Sequence, residues 1–283
     1  MTTAGRVVRV PASSANLGPG FDVLGMALDL CADFGIGAAP DRALQLDEYH
    51  PTSIAFVSSG GVGPVWMRGS IPMGRGLGFS GAARVGGAAL AVVQGAEDPS
   101  AALNQGAADV LRISAGLEGH ADNVAASLFG GVAASVDGAA IPFRVGPTFA
   151  AAAVVVWIPE ATTSTDISRA GLPSMVERSD AIHNLGRVVQ FVLAVERDDP
   201  TLLFGAMSDR LHQPHRLPHV SGAAEALASG VDAGAWCGWL SGSGPTLAFL
   251  CETSAVSSVV ESMPKSGHCK ELKIDTLGAR LVD

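Results

Sequence analysis

The stretch that most restricts what this chain can become is residues 72–84, PMGRGLGFSGAAR, a glycine-rich loop running without a break into an alanine, glycine and valine segment that reaches Gln94. Closely spaced glycines let a backbone turn where side chains resist, and a run of small residues behind them suits a buried helix. The strand-like PVWMRGSIP precedes the loop. Strand, tight loop and a helix from about Ser80 to Gln94 would leave free N–H groups and the positive helix end at the loop, where an anion binds. Gly76, Gly78 and Gly81 satisfy G-x-G-x-x-G. A dinucleotide fold needs that pattern at its first turn, with an acid placed about 20 residues on. Here Glu97 and Asp98 fall in a loop before another helix. A Walker loop needs Gly-Lys-Ser/Thr, and the lysines are only Lys265, Lys270 and Lys273; a nucleophile elbow is broken at Ala82.

Elsewhere the period alternates between strand and helix. GRVVRVPAS, FGIGAA, the apolar run ending at Pro159, WCGWLSGSGPTLAFLC and ELKIDTLGARLV have strand character. Helices are predicted over PSAALNQGAADVLRISAG, opened by Pro99 and Ser100, and over 178–196, 199–211 and 254–263. The irregular alternation predicts an α+β fold in two halves, 1–150 and 151–283. With 48% hydrophobic and 16% charged residues in 283, the chain builds a substantial core and is not disordered. Acidic residues outnumber basic ones 27 to 18 and no basic stripe forms, which argues against nucleic acid. The apolar run at 150–158 falls short of the roughly 20 residues that cross a membrane. Cys31, Cys237, Cys251 and Cys269 form no CxxC pair and MTTAGRVVRVPASS shows no leader pattern, so a cytoplasmic location is expected.

Three further clusters join glycine to short polar side chains. PASSANLGPGFDVLG (11–25) carries Asn16 and Asp22, GHADNVAASLFGG (119–131) carries His120, Asp122 and Asn123, and LSGSGPTLAF spans 240–249. Taken singly, the first is an ordinary turn, Asp122 a helix N-cap and the last a tight connection. Four such clusters in one chain ask for a shared explanation. His212, His215 and His219 in HQPHRLPH lack a complete tetrahedral set for zinc. His183 reads as a packed or surface helix residue, and Met26, Trp66, Trp236 and Trp239 as core.

In their order, VPASSANLGPGFDVLGMALDL, PMGRGLGFSGAA, GHADNVAASLFGG and LSGSGPTLAF resemble the motifs of the GHMP small-molecule kinases, the first being similar to the homoserine kinase branch. STDISRAGLP, SDAIHNLGR and DRLHQPHRLP extend the resemblance over nearly the whole chain. It implies a two-lobed fold, ribosomal-S5-domain-2-like then ferredoxin-like, with ATP and a small amino-acid substrate meeting between the lobes, and a possible homodimer. It further implies that Asn16, Asp22, Asp122 and Asn184 face the substrate, that Asp22 and Asp122 align its hydroxyl, and that Arg169 and Arg216 hold its carboxylate. A zwitterion offers an ammonium to carboxylates and a carboxylate to guanidinium forks. Gly74, Arg75, Gly76, Leu77, Gly78, Phe79, Ser80 and Gly81 would hold the phosphates, with Ser80 and Glu118 left for magnesium.

Three departures bear on ATP and magnesium. Phe79 stands where the family has a serine, Gly116 where it has a magnesium-binding glutamate, and the 31–71 segment is short for an adenine frame, HPTSIAFVSSGGVGP being its remaining helical stub. Phosphotransfer from ATP to homoserine or a related amino acid is the leading expectation. The alternatives are an ATP-independent lyase, isomerase or cyclase using Asp22, Asp122 or His120 as proton carriers, and a non-catalytic amino-acid-binding regulator.

Overall fold

The computed structural model describes residues 6–163 and 165–282. Ser164, which opens STDISRAGLP, and residues 1–5, which begin the stretch compared with a leader, lie outside the described residues. The first half contains β1 (Val7–Ala15), β2 (Leu24–Ile36), β3 (Leu44–Gln45), α1 (Pro51–Ser58), β4 (Val65–Gly69), α2 (Phe79–Val93), α3 (Pro99–Glu118), α4 (Asp122–Phe129), β5 (Val132–Val136), β6 (Ala139–Pro142) and α5 (Pro147–Ala151). The second contains β7 (Ala153–Pro159), α6 (Thr165–Ala170), α7 (Arg178–Glu196), α8 (Gln213–Arg216), α9 (Ala223–Asp232), β8 (Cys237–Leu240), β9 (Leu247–Cys251), α10 (Val256–Glu261), β10 (Gly267–Lys273) and β11 (Arg280–Val282).

One sheet has the order β11-β1-β2-β4-β3, with β5 on β2 and β6 on β5. β1 and β2 pair along most of their length, and their register shifts between Pro11 and Ala12. Proline has no N–H for the ladder, so a bulge is the place where a strand tolerates it. β2 runs far beyond the predicted FGIGAA because its burial lacks the alternation that marks a half-exposed strand. The small side chains of α2 bury ten of its residues, among them Ala82, Val85, Ala88 and Leu90.

The other sheet has the order β10-β7-β9-β8, which with the helices between β7 and β8 and between β9 and β10 gives the ferredoxin-like arrangement. Val154, Val156 and Ile158 of β7 face one core, and Val155 and Trp157 the other. That two-sided burial is why the strand is continuously apolar. Among the described residues no helix is long and apolar enough to cross a membrane. Met26, Trp66 and Trp239 are core residues, and Trp236 packs at its margin.

Two further predicted elements differ. The helix expected over 199–211 is a single 3-10 turn, Pro200–Leu203, capped by Asp199, after which Gly205 turns left-handed at φ 70°. The Asp209 carboxylate then accepts N–H bonds from Leu211, His212 and Gln213, so side-chain capping outcompetes a continuous helix. ELKIDTLGARLV divides between the sheets: Asp275 Oδ1 accepts from the N–H groups of Leu277 and Gly278, closing a turn that sends β11 back to β1.

Candidate active site

The site begins where β1 ends. Asn16, Leu17 and Asp22 all have positive φ (70°, 43° and 59°), a conformation costing roughly 1–3 kcal/mol apiece for side chains other than glycine. Surrounding structure holds them there. Leu17 is fully buried, Asn16 Oδ1 accepts from the Asp22 N–H at 3.0 Å, and Asn16 Nδ2 donates to Gly242 O at 2.9 Å. Asn16 reaches the cleft but spends its amide fixing Asp22 against the LSGSGP turn.

That turn fastens the two halves together. Ser241 Oγ donates to Gly76 O (2.6 Å) and lies 2.7 Å from Ser14 Oγ, while Gly242 N–H donates to Ala15 O. A Cβ on Gly76 would stand 2.2 Å from Ser241 O, so only glycine fits this approach. The loop enters α2 through Gly78, with no side chain capping the helix start. First-turn N–H groups lack helical partners, and those of Phe79 and Ser80 belong to residues lining the cleft.

Asn16, Asp22, Gly74 to Ser80, Glu118, Asp122, Arg169 and Arg216 line this one cleft together with His120. Asp122 opens α4 from its first turn, the N-cap being Ala121. It is buried, and its Oδ1 accepts the Asn123 N–H at 2.8 Å and lies 2.8 Å from His120 Nδ1. Arg169 pairs bidentately with Asp22, both contacts at 2.7 Å. Arg216 is buried, and Nη1 donates to Gly242 O at 3.3 Å. Burial, reinforced by the charge on Arg169, pulls the Arg216 guanidinium below its ordinary pKa. Both guanidinium groups lie over the Phe21 ring, at 5.4 and 5.2 Å. Phe21 escaped the sequence reading because it stands next to Asp22 among turn residues; only its place in the motif could have marked it.

The wall of the cleft where phosphates are expected differs most from expectation. Ser80 Oγ donates to Glu118 Oε2 at 2.8 Å, and the Arg84 guanidinium contacts both side chains. Phe79 packs at the core margin, edge-on to His50, and His50 in turn caps α1, the helical stub. Among the described residues no group of three or more His, Cys, Asp and Glu side chains gathers to hold a metal ion.

Two residues of the expected set lie outside the cleft lining, Gly81 and Asn184. Asn184 is buried; its Nδ2 donates to Pro19 O and Asp209 Oδ1 and its Oδ1 accepts from the Arg210 N–H, so its amide braces the loop beneath the site and leaves little for a substrate. His183 is half-buried on α7, 3.1 Å from Ser208 Oγ. His215 and His219 line a second cavity.

His212 is fully buried and stacks on Phe21. Its Nε2 bonds Gly18 O at 2.8 Å and its Nδ1 takes a bond from Arg216, which selects the neutral ring. Burial drives its pKa below the ordinary value, and the opposing pull of Asp209 and the Gly18 carbonyl is weaker. The unfolded chain takes up this proton near pH 6.5 while the folded chain does not, so stability falls as pH drops below that value, by at most ~1.4 kcal/mol per unit. Thermal unfolding from pH 7 to pH 5 should show this decline and His212→Gln should flatten it. An unaltered slope in the variant would assign the acid sensitivity elsewhere.

The family model for the GHMP kinase N-terminal domain matches residues 43–131, and that for the GHMP kinase C-terminal domain matches 191–269. A homoserine kinase of Moorella thermoacetica is 40% identical over 267 residues, covering 87% of each chain. One from Desulfitobacterium hafniense is 37% identical over 303 residues, covering 97% of this chain and 99% of its own. The crystal structure of homoserine kinase from Cytophaga hutchinsonii superposes with a TM-score of 0.82 at 24% identity, over 100% of this chain and 98% of that one, a likeness of fold. The glycine loop, the α4 start and the LSGSGP turn meet in one cleft, and the chain belongs to the GHMP kinase family, in its homoserine kinase branch.

Proposed function

We propose that this protein transfers the γ-phosphoryl group of ATP to the hydroxyl of homoserine or a closely related amino acid. One observation carries the reading: Asp22, Asp122, Arg169 and Arg216 share a cleft with the uncapped start of α2. The Asp22–Arg169 pair is a template for a zwitterion, whose ammonium replaces the guanidinium at Asp22 and whose carboxylate takes the fork of Arg169 beside Arg216. Asp122 then aligns the hydroxyl. Its oxygen attacks the γ-phosphorus as the bond to the bridging oxygen of ADP breaks, and the hydroxyl proton leaves along its hydrogen bond. Such a loose transition state needs positioning and charge compensation more than a strong base.

The phosphates fit the loop, where the amides of Gly78 to Gly81 and the dipole of α2 offer positive potential. Magnesium held by the protein does not fit. It requires oxygen ligands at about 2.0–2.1 Å, and Glu118, the acid in contact with Ser80, already takes the Ser80 hydroxyl and Arg84.

Incubation with homoserine and ATP in magnesium buffer should release ADP only when the amino acid is present. Folded protein that releases none across a panel of hydroxy amino acids would overturn the reading.

A further inference from the structure

Arg84 lies one helical turn past Ser80 on α2, and side chains on a helix lean toward its N-terminus, so the guanidinium reaches back over Ser80. There it contacts the Ser80 hydroxyl and the Glu118 carboxylate, while Ser80 Oγ donates its own hydrogen to Glu118. The chain of donors is consistent: arginine gives to serine, and serine gives to glutamate. Arg84 and Glu118 are only 19% and 10% exposed, so water screens their pairing weakly. Ser80 and Glu118 line the cleft on the side where α2 begins, and Arg84 supports them from behind.

Charge decides what this trio does. An uncompensated Glu118 would present a carboxylate to the phosphates and repel them unless a metal ion lay between. A guanidinium stays charged throughout the working pH range, cancels that carboxylate from within the protein, and cannot be stripped by a chelator. We propose that Arg84 is a positioning residue that takes the place of a protein-held metal ion at the phosphate loop: it neutralises Glu118 and fixes the Ser80 hydroxyl, so that nucleotide phosphates dock on the start of α2 without a metal bridge to the protein. The proposal rests on the phosphotransfer reading. Magnesium, when present, arrives as the ion of the nucleotide complex.

Binding of a fluorescent ADP to the full chain, in magnesium and in EDTA, tests it. The unaltered protein should bind within about threefold in the two buffers. Arg84→Met should lose at least tenfold in EDTA and regain most of it in magnesium, because the freed Glu118 then has lone pairs for the ion. Arg84→Met combined with Glu118→Gln should recover metal-free binding, and Arg84→Lys should keep it; a merely structural arginine would not give this charge-dependent rescue. If Arg84→Met does not fold, Glu118→Gln alone decides, since an uncancelled Arg84 should tighten metal-free binding at least threefold. The proposal is overturned if Arg84→Met binds metal-free ADP like the parent, if the double variant stays as weak as Arg84→Met, or if Glu118→Gln leaves metal-free binding unchanged. It is also overturned if the parent loses tenfold in EDTA. With homoserine-dependent ADP release intact, any of these results removes the role of Arg84 alone. Absence of nucleotide binding in both buffers removes the phosphotransfer reading with it.

Discussion

Replacing Arg216 with methionine is expected to raise KM for homoserine at least about a hundredfold while nucleotide affinity stays within about twofold. The guanidinium is buried beside Gly242 O and His212, over the Phe21 ring, and lines the cleft together with Arg169. Hydrogen bonds to a charged partner contribute about 1.5–3 kcal/mol each, so losing a two-pronged grip on a carboxylate amounts to about a hundredfold or more. Methionine keeps the length of the side chain and refills much of its volume. Gly242 O retains the bond from Asn16 Nδ2, so the turn that joins the halves keeps an anchor. An amino alcohol lacking the carboxylate provides the internal control, because parent and variant should use it equally poorly. If Arg216→Met lost homoserine and the amino alcohol in equal measure, the residue would be a packing element and the carboxylate grip would lie elsewhere.

What the sequence disclosed about this site was local. The glycine loop, the short polar residues after the first strand and the acid opening α4 each follow from one turn of backbone, and the structure brings them into one cleft. Motif order placed Arg169 and Arg216 in the same cleft although 147 and 194 residues separate them from Asp22. Pairing chemistry was hidden. That Asp22 and Arg169 hold each other, or that Asn184 spends its amide on Pro19, Asp209 and Arg210, depends on contacts between distant segments. Arg84 was partly legible, since a spacing of four residues on a helix places it against Ser80. The other half of the trio was not, because Glu118 comes from the far end of α3. The 199–211 region misled for a local reason: helical composition there yields to a left-handed glycine and to a carboxylate that collects three N–H groups. β2 misled for a global one, its two-sided burial erasing the period that announces a strand.

Asp122→Asn should separate hydroxyl alignment from substrate binding. Asparagine preserves the shape of the side chain and, through its carbonyl oxygen, the bond from the Asn123 N–H that fixes the start of α4. It removes the negative charge proposed to face the hydroxyl and alters the contact with His120 Nδ1, 2.8 Å away. Aligned proton acceptors are worth about 10²–10⁴ in rate. The low requirement for a strong base in phosphoryl transfer places this one toward the lower end. kcat should therefore fall about a hundredfold or more, with KM for homoserine changed less than fivefold, since the proposed grip of Arg169 and Arg216 on the carboxylate is left in place. Asp22→Asn should show the opposite division, its larger effect falling on KM, because Asp22 is the proposed partner of the ammonium and its carboxylate holds Arg169 bidentately. Steady-state kinetics of the two variants side by side provide the check. A kcat for Asp122→Asn within threefold of the parent would take Asp122 out of the reaction and leave it as the residue that opens α4.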